Sequence, residues 1–215
     1  MRSTPLPLSL FGAGQTAVAA EPRFRRIQLD PCCWVDYVDG FLEGADALFS
    51  RVESDLDWFS GERLMYGEWL PEPRLTAKLE LADPEVPWVV RTAARALSAH
   101  YQRSFDGLFC NYYRDGRDGV AWHADNIGRS TVDPLVAIIS LGGPRTFAIR
   151  DQTRTSEAHR FVMHSGDLLV MGGATQHHWE HSVPKMADGP PRISLTTRAG
   201  WGRSNAGRGR SAGDP

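Results

Sequence analysis

From Phe105 to Ala199 the chain is cut into short apolar runs by glycine, proline and aspartate, and this rhythm leaves few folds open. The runs are Gly107–Tyr113, Val120–His123, Leu135–Leu141, Thr146–Arg150, Ala158–Met163, Asp167–Met171, His178–Val183 and Arg192–Ala199. They are short and rich in β-branched and aromatic residues, so they read as strands. Arg114-Asp-Gly-Arg-Asp-Gly, Gly142-Gly-Pro, Ser165-Gly and Ala187-Asp-Gly-Pro-Pro supply the turns between them. Two earlier stretches, Val38 to Phe59 and Trp88 to Tyr101, repeat apolar residues at helical spacing. Roughly eight strands after two helices predict a mainly β protein with supporting helices (α+β), a β-sandwich or jelly roll.

A chain of 215 residues suits one domain with a sizeable core. The expected organisation is a loose, disordered leader over residues 1–25, a folded domain over 26–202 and a disordered tail over 203–215, where little can be buried. Prolines, glycines and Gln15 interrupt the apolar part of the leader, so it does not read as an export signal. The formal net charge of −2 excludes a global basic field, so contact with nucleic acid has to come from a local patch. Three cysteines, two of them adjacent, do not make a disulfide framework and point to a reducing, cytoplasmic setting. No apolar stretch spans a membrane, and a monomer is expected.

The chemistry begins at Trp122-His123-Ala124-Asp125. Residues two apart on a strand point the same way, so His123 and Asp125 offer an imidazole and a carboxylate to one side. That is two-thirds of the 2-His-1-carboxylate set that holds iron(II) with one face open. The third donor has to come from far along the chain. The densest source is Thr175-Gln-His177-His178-Trp-Glu-His181-Ser-Val-Pro. If this segment is extended, His177 and His181 share a face and His178 takes the other. His181 closes a strand and is the candidate ligand; His177 and His178 read as polar rim residues.

An iron(II) ion with an open face needs a reductant for oxygen. In Arg192-Ile-Ser194-Leu-Thr196-Thr-Arg198, alternate residues put Arg192, Ser194, Thr196 and Arg198 on one face and Ile193 and Leu195 on the other. Two inward arginines on a late strand are costly unless they meet anions. A small dicarboxylate supplies two, and guanidinium binds carboxylate through paired hydrogen bonds.

Asn111-Tyr-Tyr113-x-x-Gly116, His123-x-Asp125, His181-Ser-Val-Pro and Arg192-x-Ser194-x-Thr196-x-Arg198 together resemble the AlkB family of iron(II)- and 2-oxoglutarate-dependent dioxygenases. The resemblance covers roughly residues 60–199. It implies a double-stranded β-helix, with His123, Asp125 and His181 on Fe(II). It implies that Tyr113 and Arg192 hold the distal carboxylate of 2-oxoglutarate, and that Asn111 and Arg198 hold the carboxylate beside its keto group, with Ser194 nearby. It further implies that O2 and 2-oxoglutarate drive oxidation of an N-alkyl carbon on a nucleobase that is single-stranded or flipped out of its duplex. A modified RNA base, such as one in tRNA, or a protein is the alternative target.

The region Arg63 to Thr76 corresponds to the family's lid over the nucleotide. Its Tyr66, Trp69 and Arg74 suit base stacking beside phosphates. Asn126 and Ile127 follow the aspartate of the His-x-Asp element and are expected near the base. The chain also departs from the family pattern in three places. Lys78-Leu-Glu-Leu-Ala-Asp-Pro-Glu-Val-Pro replaces an aromatic-rich segment. Ile127 stands where an acidic residue reads the base's amino group, and Ser194 where asparagine is usual. The first two put 1-methyladenine and 3-methylcytosine in doubt as substrates.

Overall fold

A computed structural model of the chain describes residues 15–65, 67–125, 131–154 and 157–199. Of the expected site residues, Tyr66, Asn126 and Ile127 lie outside these, as do residues 1–14 of the leader and the whole 203–215 tail.

The first part of the chain forms β1 (Ala17–Val18), β2 (Arg25–Asp30), β3 (Cys33–Val38), β4 (Leu42–Glu43), α1 (Ala45–Asp55), β5 (Phe59–Met65), β6 (Glu68–Leu79) and α2 (Trp88–Tyr101). The second part forms β7 (Phe105–Tyr113), β8 (Val120–His123), β9 (Leu135–Gly142), β10 (Arg145–Asp151), β11 (His159–Met163), β12 (Leu168–Gly173), α3 (Thr175–His178), β13 (Trp179–Val183) and β14 (Arg192–Ala199).

Eight strands make the larger sheet in the order β2-β3-β12-β9-β14-β7-β6-β5, and four make the smaller one in the order β11-β10-β13-β8. Their pairings are antiparallel. Tyr37, Ile138, Phe147, Ile149 and Met171 belong to the core that both sheets share. On the other face of the larger sheet, Ile139, Ile193 and Leu195 pack with Phe41, Leu48, Phe49 and Leu97 from the helical side. This is the expected jelly roll backed by helices.

The late strands and α2 stand where the sequence places them. Elsewhere the structure corrects the reading. The helix expected from Val38 starts at Ala45, because Val38 ends β3 and the left-handed turns at Gly40 and Gly44 break the periodic run. Residues 15–24 of the expected loose leader are held in place. Ala17–Val18 pairs with β4, and the Phe24 ring stacks on His100 at 3.7 Å. Strand β6 is not among the strands expected from the sequence, and it carries Pro71 and Pro73, which cannot donate to a ladder. Pro71 pairs only with Glu62 of β5, Pro73 falls in the irregularity between the Pro71 and Leu75 pairs, and pairing with β7 begins at Leu75.

Gly172 faces Trp34 across the β12–β3 ladder. A Cβ at this position would sit 2.1 Å from the indole. The ring lies over bare backbone, with the Arg26 guanidinium 3.7 Å above it. Gly172→Ala is therefore expected to cost ~1–3 kcal/mol as the indole is displaced. A urea denaturation curve with an unchanged midpoint would contradict this.

Candidate metal and co-substrate site

Strands β8 and β13 are neighbours, and their register makes His123 and His181 direct cross-strand partners. Such pairs bring side chains on one face within contact distance, and the two rings lie 4.3 Å apart. Asp125 follows just past the end of β8. Its Oδ1 is 4.0 Å from Nε2 of His123 and 4.0 Å from Nε2 of His181. One donor atom from each residue fits within a mutual spacing of 4.8 Å.

This donor set suits a divalent ion such as iron(II): two imidazole nitrogens and one carboxylate oxygen, with nothing softer. Nδ1 of His123 lies 2.9 Å from the Ala121 carbonyl. With Nδ1–H donating there, Nε2 is left as the free lone pair. His181 is buried, and burial first, then His123, push its pKa down to about 4 against the pull of Asp125. It is neutral at ordinary pH, which is the form that ligates. Phe147 stacks on its ring at 5.4 Å.

A cavity of about 280 Å³ opens from this triad between the two sheets. Strand β14 lines it with Arg192, Ser194, Thr196 and Arg198, while Ile193 and Leu195 pack in the core behind. At one end Arg192 is buried, with its guanidinium 5.1 Å from the Tyr113 ring. Its Nε donates to Ser140 Oγ at 3.0 Å. Burial lowers its pKa to about 10, partly offset by Tyr113. At the other end Arg198 donates to Asp125 Oδ2 at 3.1 Å and 3.3 Å. Between them the Asn111 amide donates to Ser194 Oγ at 3.3 Å, and these residues are ladder partners on β7 and β14.

One residue lines the cavity where the sequence did not place it, and two more, Ser140 and Gln176, bond the residues that line it. Arg74, expected over the nucleotide, lines it and donates to Asn111 Oδ1 at 2.8 Å. Ser140 was legible as the lone polar residue of the apolar run Leu135–Leu141. Gln176 carried no signal; its side-chain oxygen accepts the Asp125 amide at 3.2 Å. The segment around it is helical rather than extended, which turns the neighbouring histidines away from the triad. His177 Nε2 meets the Thr131 carbonyl at 3.0 Å, and His178 faces Cys32.

A second cavity, of about 420 Å³, adjoins the first and shares Arg74, Val120 and Val183 with it. Its wall runs from Leu70 to Arg74 on β6, over Gly119–Trp122, to Ser182–Lys185. Above it the β5–β6 hairpin exposes Trp69 and Leu70, with Trp69 66% exposed.

Residues 73–198 match the model of the 2OG-Fe(II) oxygenase superfamily. The bovine "Alpha-ketoglutarate-dependent dioxygenase alkB homolog 3" is 32% identical over 222 residues, 92% of this chain and 74% of the relative. Its mouse counterpart is 32% identical over 187 residues, 78% of this chain. The chain spans 65% of that mouse protein and 63% of the rat one, just under two thirds of their length. The human "DNA oxidative demethylase ALKBH2" is 26% identical over 209 residues, 86% of this chain and 80% of its own. Among solved structures, a Pseudomonas putida prolyl-4-hydroxylase shares the fold with a TM-score of 0.56 at 14% identity, covering 77% of this chain and 91% of its own.

Proposed function

The chain belongs to the AlkB branch of the 2-oxoglutarate- and iron(II)-dependent oxygenases, and from that premise we propose that it oxidatively dealkylates N-alkylated nucleobases in DNA or RNA, as a cytoplasmic monomer. The observation that carries the reading is the cavity between the sheets. It joins a three-donor metal site to a buried arginine for which no carboxylate partner is found among the described residues.

In this reading His123, Asp125 and His181 hold the iron. Arg192 and Tyr113 take the distal carboxylate of 2-oxoglutarate, and Asn111 and Arg198 the carboxylate beside its keto group, with Ser194 between them. When bound, iron(II) and the keto acid supply activation of O2 and oxidation of the alkyl carbon, which then leaves the base as an aldehyde. The chain's own residues orient these partners and exclude water. Neutral His181 keeps a lone pair available, and Gln176 fixes the backbone at Asp125. Val136, Ile138 and Phe147 line the cavity and keep part of it apolar.

The adjoining cavity suits a base removed from its stack, reaching the alkyl group toward the triad. Trp69 on the hairpin suits stacking, and Arg74 and Lys185 suit the phosphate backbone; Tyr66, known from the sequence alone, is a second aromatic candidate. The relatives named as DNA demethylases support nucleic acid as the target. The test is succinate release by the purified protein with alkylated single-stranded DNA or RNA oligonucleotides. Mass spectrometry of DNA and tRNA from a deletion strain then identifies the modified base. Succinate release that no alkylated oligonucleotide stimulates would overturn the nucleic-acid reading.

Selectivity among lesions follows from Asn126 and Ile127, beside Asp125 in sequence. The lesions 3-methylcytosine and 1-methyladenine are cationic, and a carboxylate near the base would offset that charge in a dry pocket. Ile127 has none. Neutral adducts such as etheno bases are therefore expected to react better, and Ile127→Glu is expected to raise activity on 3-methylcytosine more than on an etheno adduct. Paired assays of both enzymes on both lesions check this. Equal gains on the two would remove position 127 from base recognition.

A further inference from the structure

The tight turn between β2 and β3 carries Cys32 and Cys33 against the end of α3. The two sulfurs lie 3.6 Å apart, and Nδ1 of His178 is 3.7 Å from Cys32 Sγ and 4.0 Å from Cys33 Sγ. Tetrahedral zinc, with Zn–S near 2.3 Å and Zn–N near 2.05 Å, sets its ligands about 3.8 Å apart for two sulfurs and about 3.6 Å for sulfur and nitrogen. All three measured separations come within about 0.4 Å of those values. We propose that Cys32, Cys33 and His178 form a second metal site, separate from the His123–Asp125–His181 triad, that takes a thiophilic cation, zinc(II) above all.

The surroundings hold this arrangement in place before any ion arrives. The Cys32 carbonyl accepts the Ala174 amide at 2.9 Å. Gly173 makes that approach possible: its φ is +63°, and a Cβ there would lie 2.1 Å from the Cys32 oxygen. Asp30 braces the turn from below, accepting the Cys32 amide at 2.8 Å and the Trp179 indole N–H at 2.7 Å. Its carboxylate thus stands beside the thiols, which favours a cation.

Soft sulfur with one imidazole selects zinc or copper(I) over the oxygen-seeking ions. Iron(II) suits the triad instead, whose donors are nitrogen and oxygen. The two sites thus sort metals by ligand chemistry. Binding replaces thiol protons: one divalent ion enters as Cys32 and Cys33 each lose a proton, and no electron moves. Because both thiols must lose their protons, uptake strengthens as pH rises. Cys32 and His178 are exposed, which leaves the ion a way in.

An ion here would join the β2–β3 turn to α3. The same short helix carries Gln176, which holds the Asp125 amide, and runs directly into β13 with His181. The site would brace the segment that positions two of the three triad residues.

Cobalt(II) titration of the reduced, metal-free full chain tests this. A thiolate-to-cobalt charge-transfer absorption is expected, saturating at one equivalent, displaced by zinc and accompanied by proton release. Cys32→Ser and His178→Ala should each weaken it by more than the ~10–100-fold that outer-shell partners contribute to metal sites. Both replace exposed side chains, and circular dichroism checks that each variant is folded. Asp125→Ala, which removes a triad carboxylate, should leave the sulfur absorption intact, so loss of the triad and loss of this site read separately. No thiolate absorption in the reduced wild type, or equal absorption in both folded variants, overturns the proposal.

Discussion

Asp125→Ala is expected to lower succinate formation by at least ~10³-fold, a barrier increase of about 4 kcal/mol, while the protein stays folded. The carboxylate is the only anionic member of the candidate triad, and its loss leaves two neutral imidazoles to hold a divalent ion. It also strips Arg198 of the oxygen that accepts its guanidinium at 3.1 Å. His123→Ala and His181→Ala should act as severely, since neither cross-strand ring can be replaced from a neighbouring position. His164→Ala serves as the control: its side chain is 67% exposed and on another strand end, so turnover should persist. Manganese binding followed by calorimetry separates loss of metal from loss of fold. A folded Asp125→Ala that binds manganese and turns over normally would remove Asp125 from the site.

Arg192→Met should weaken 2-oxoglutarate binding by ~2–5 kcal/mol, roughly 30- to 5,000-fold in Kd. The expected size rests on burial. The Arg192 side chain is almost wholly inaccessible and bonds Ser140, so an incoming carboxylate meets a desolvated charge. The same fact makes the stability of the empty protein move the other way. With no carboxylate partner among the described residues, the buried guanidinium is a cost, so an apolar replacement of similar length should leave the unliganded melting temperature unchanged or higher. Wild type should gain several degrees on saturation with the keto acid, and the variant almost none. A variant that melts lower when empty but still gains the full increment would show Arg192 to be a structural residue.

Strand parity made much of this legible in the sequence. On β14 every second side chain points into the cavity, so the pattern Arg192, Ser194, Thr196, Arg198 against Ile193, Leu195 translates directly into two faces. The same rule points from His123 to Asp125, although Asp125 stands two residues past the end of β8. Parity fails where polar and apolar residues do not alternate along a strand. On β3, Cys33, Val35, Asp36, Tyr37 and Val38 are all buried, and Asp36 is the lone charge in an otherwise apolar or aromatic run, so no alternation marks the strand. Its last residue then joined Phe41, Leu42 and Ala45 in an accidental helical rhythm. The α3 turn was hidden for another reason. Nothing local in Thr175-Gln-His-His favours a turn over a strand; the bond from Ala174 to Cys32, far away in sequence, decides it.

The position of β14 in the larger sheet has a consequence for how the molecule breathes. It lies between β9 and β7, with ladder bonds on both sides, whereas β5 is the outermost strand and hangs on β6 alone. Amide protons along Arg192–Ala199 should exchange with deuterium only through global unfolding, and those along Phe59–Met65 through local fraying at much lower free energy. The wall that would grip the keto acid thus belongs to the last part of the protein to open, and the hairpin proposed to meet the nucleic acid to the first. Changes in the hairpin reach few other contacts, so descent with modification can redirect the choice of target while the strand that carries the arginines stays as it is.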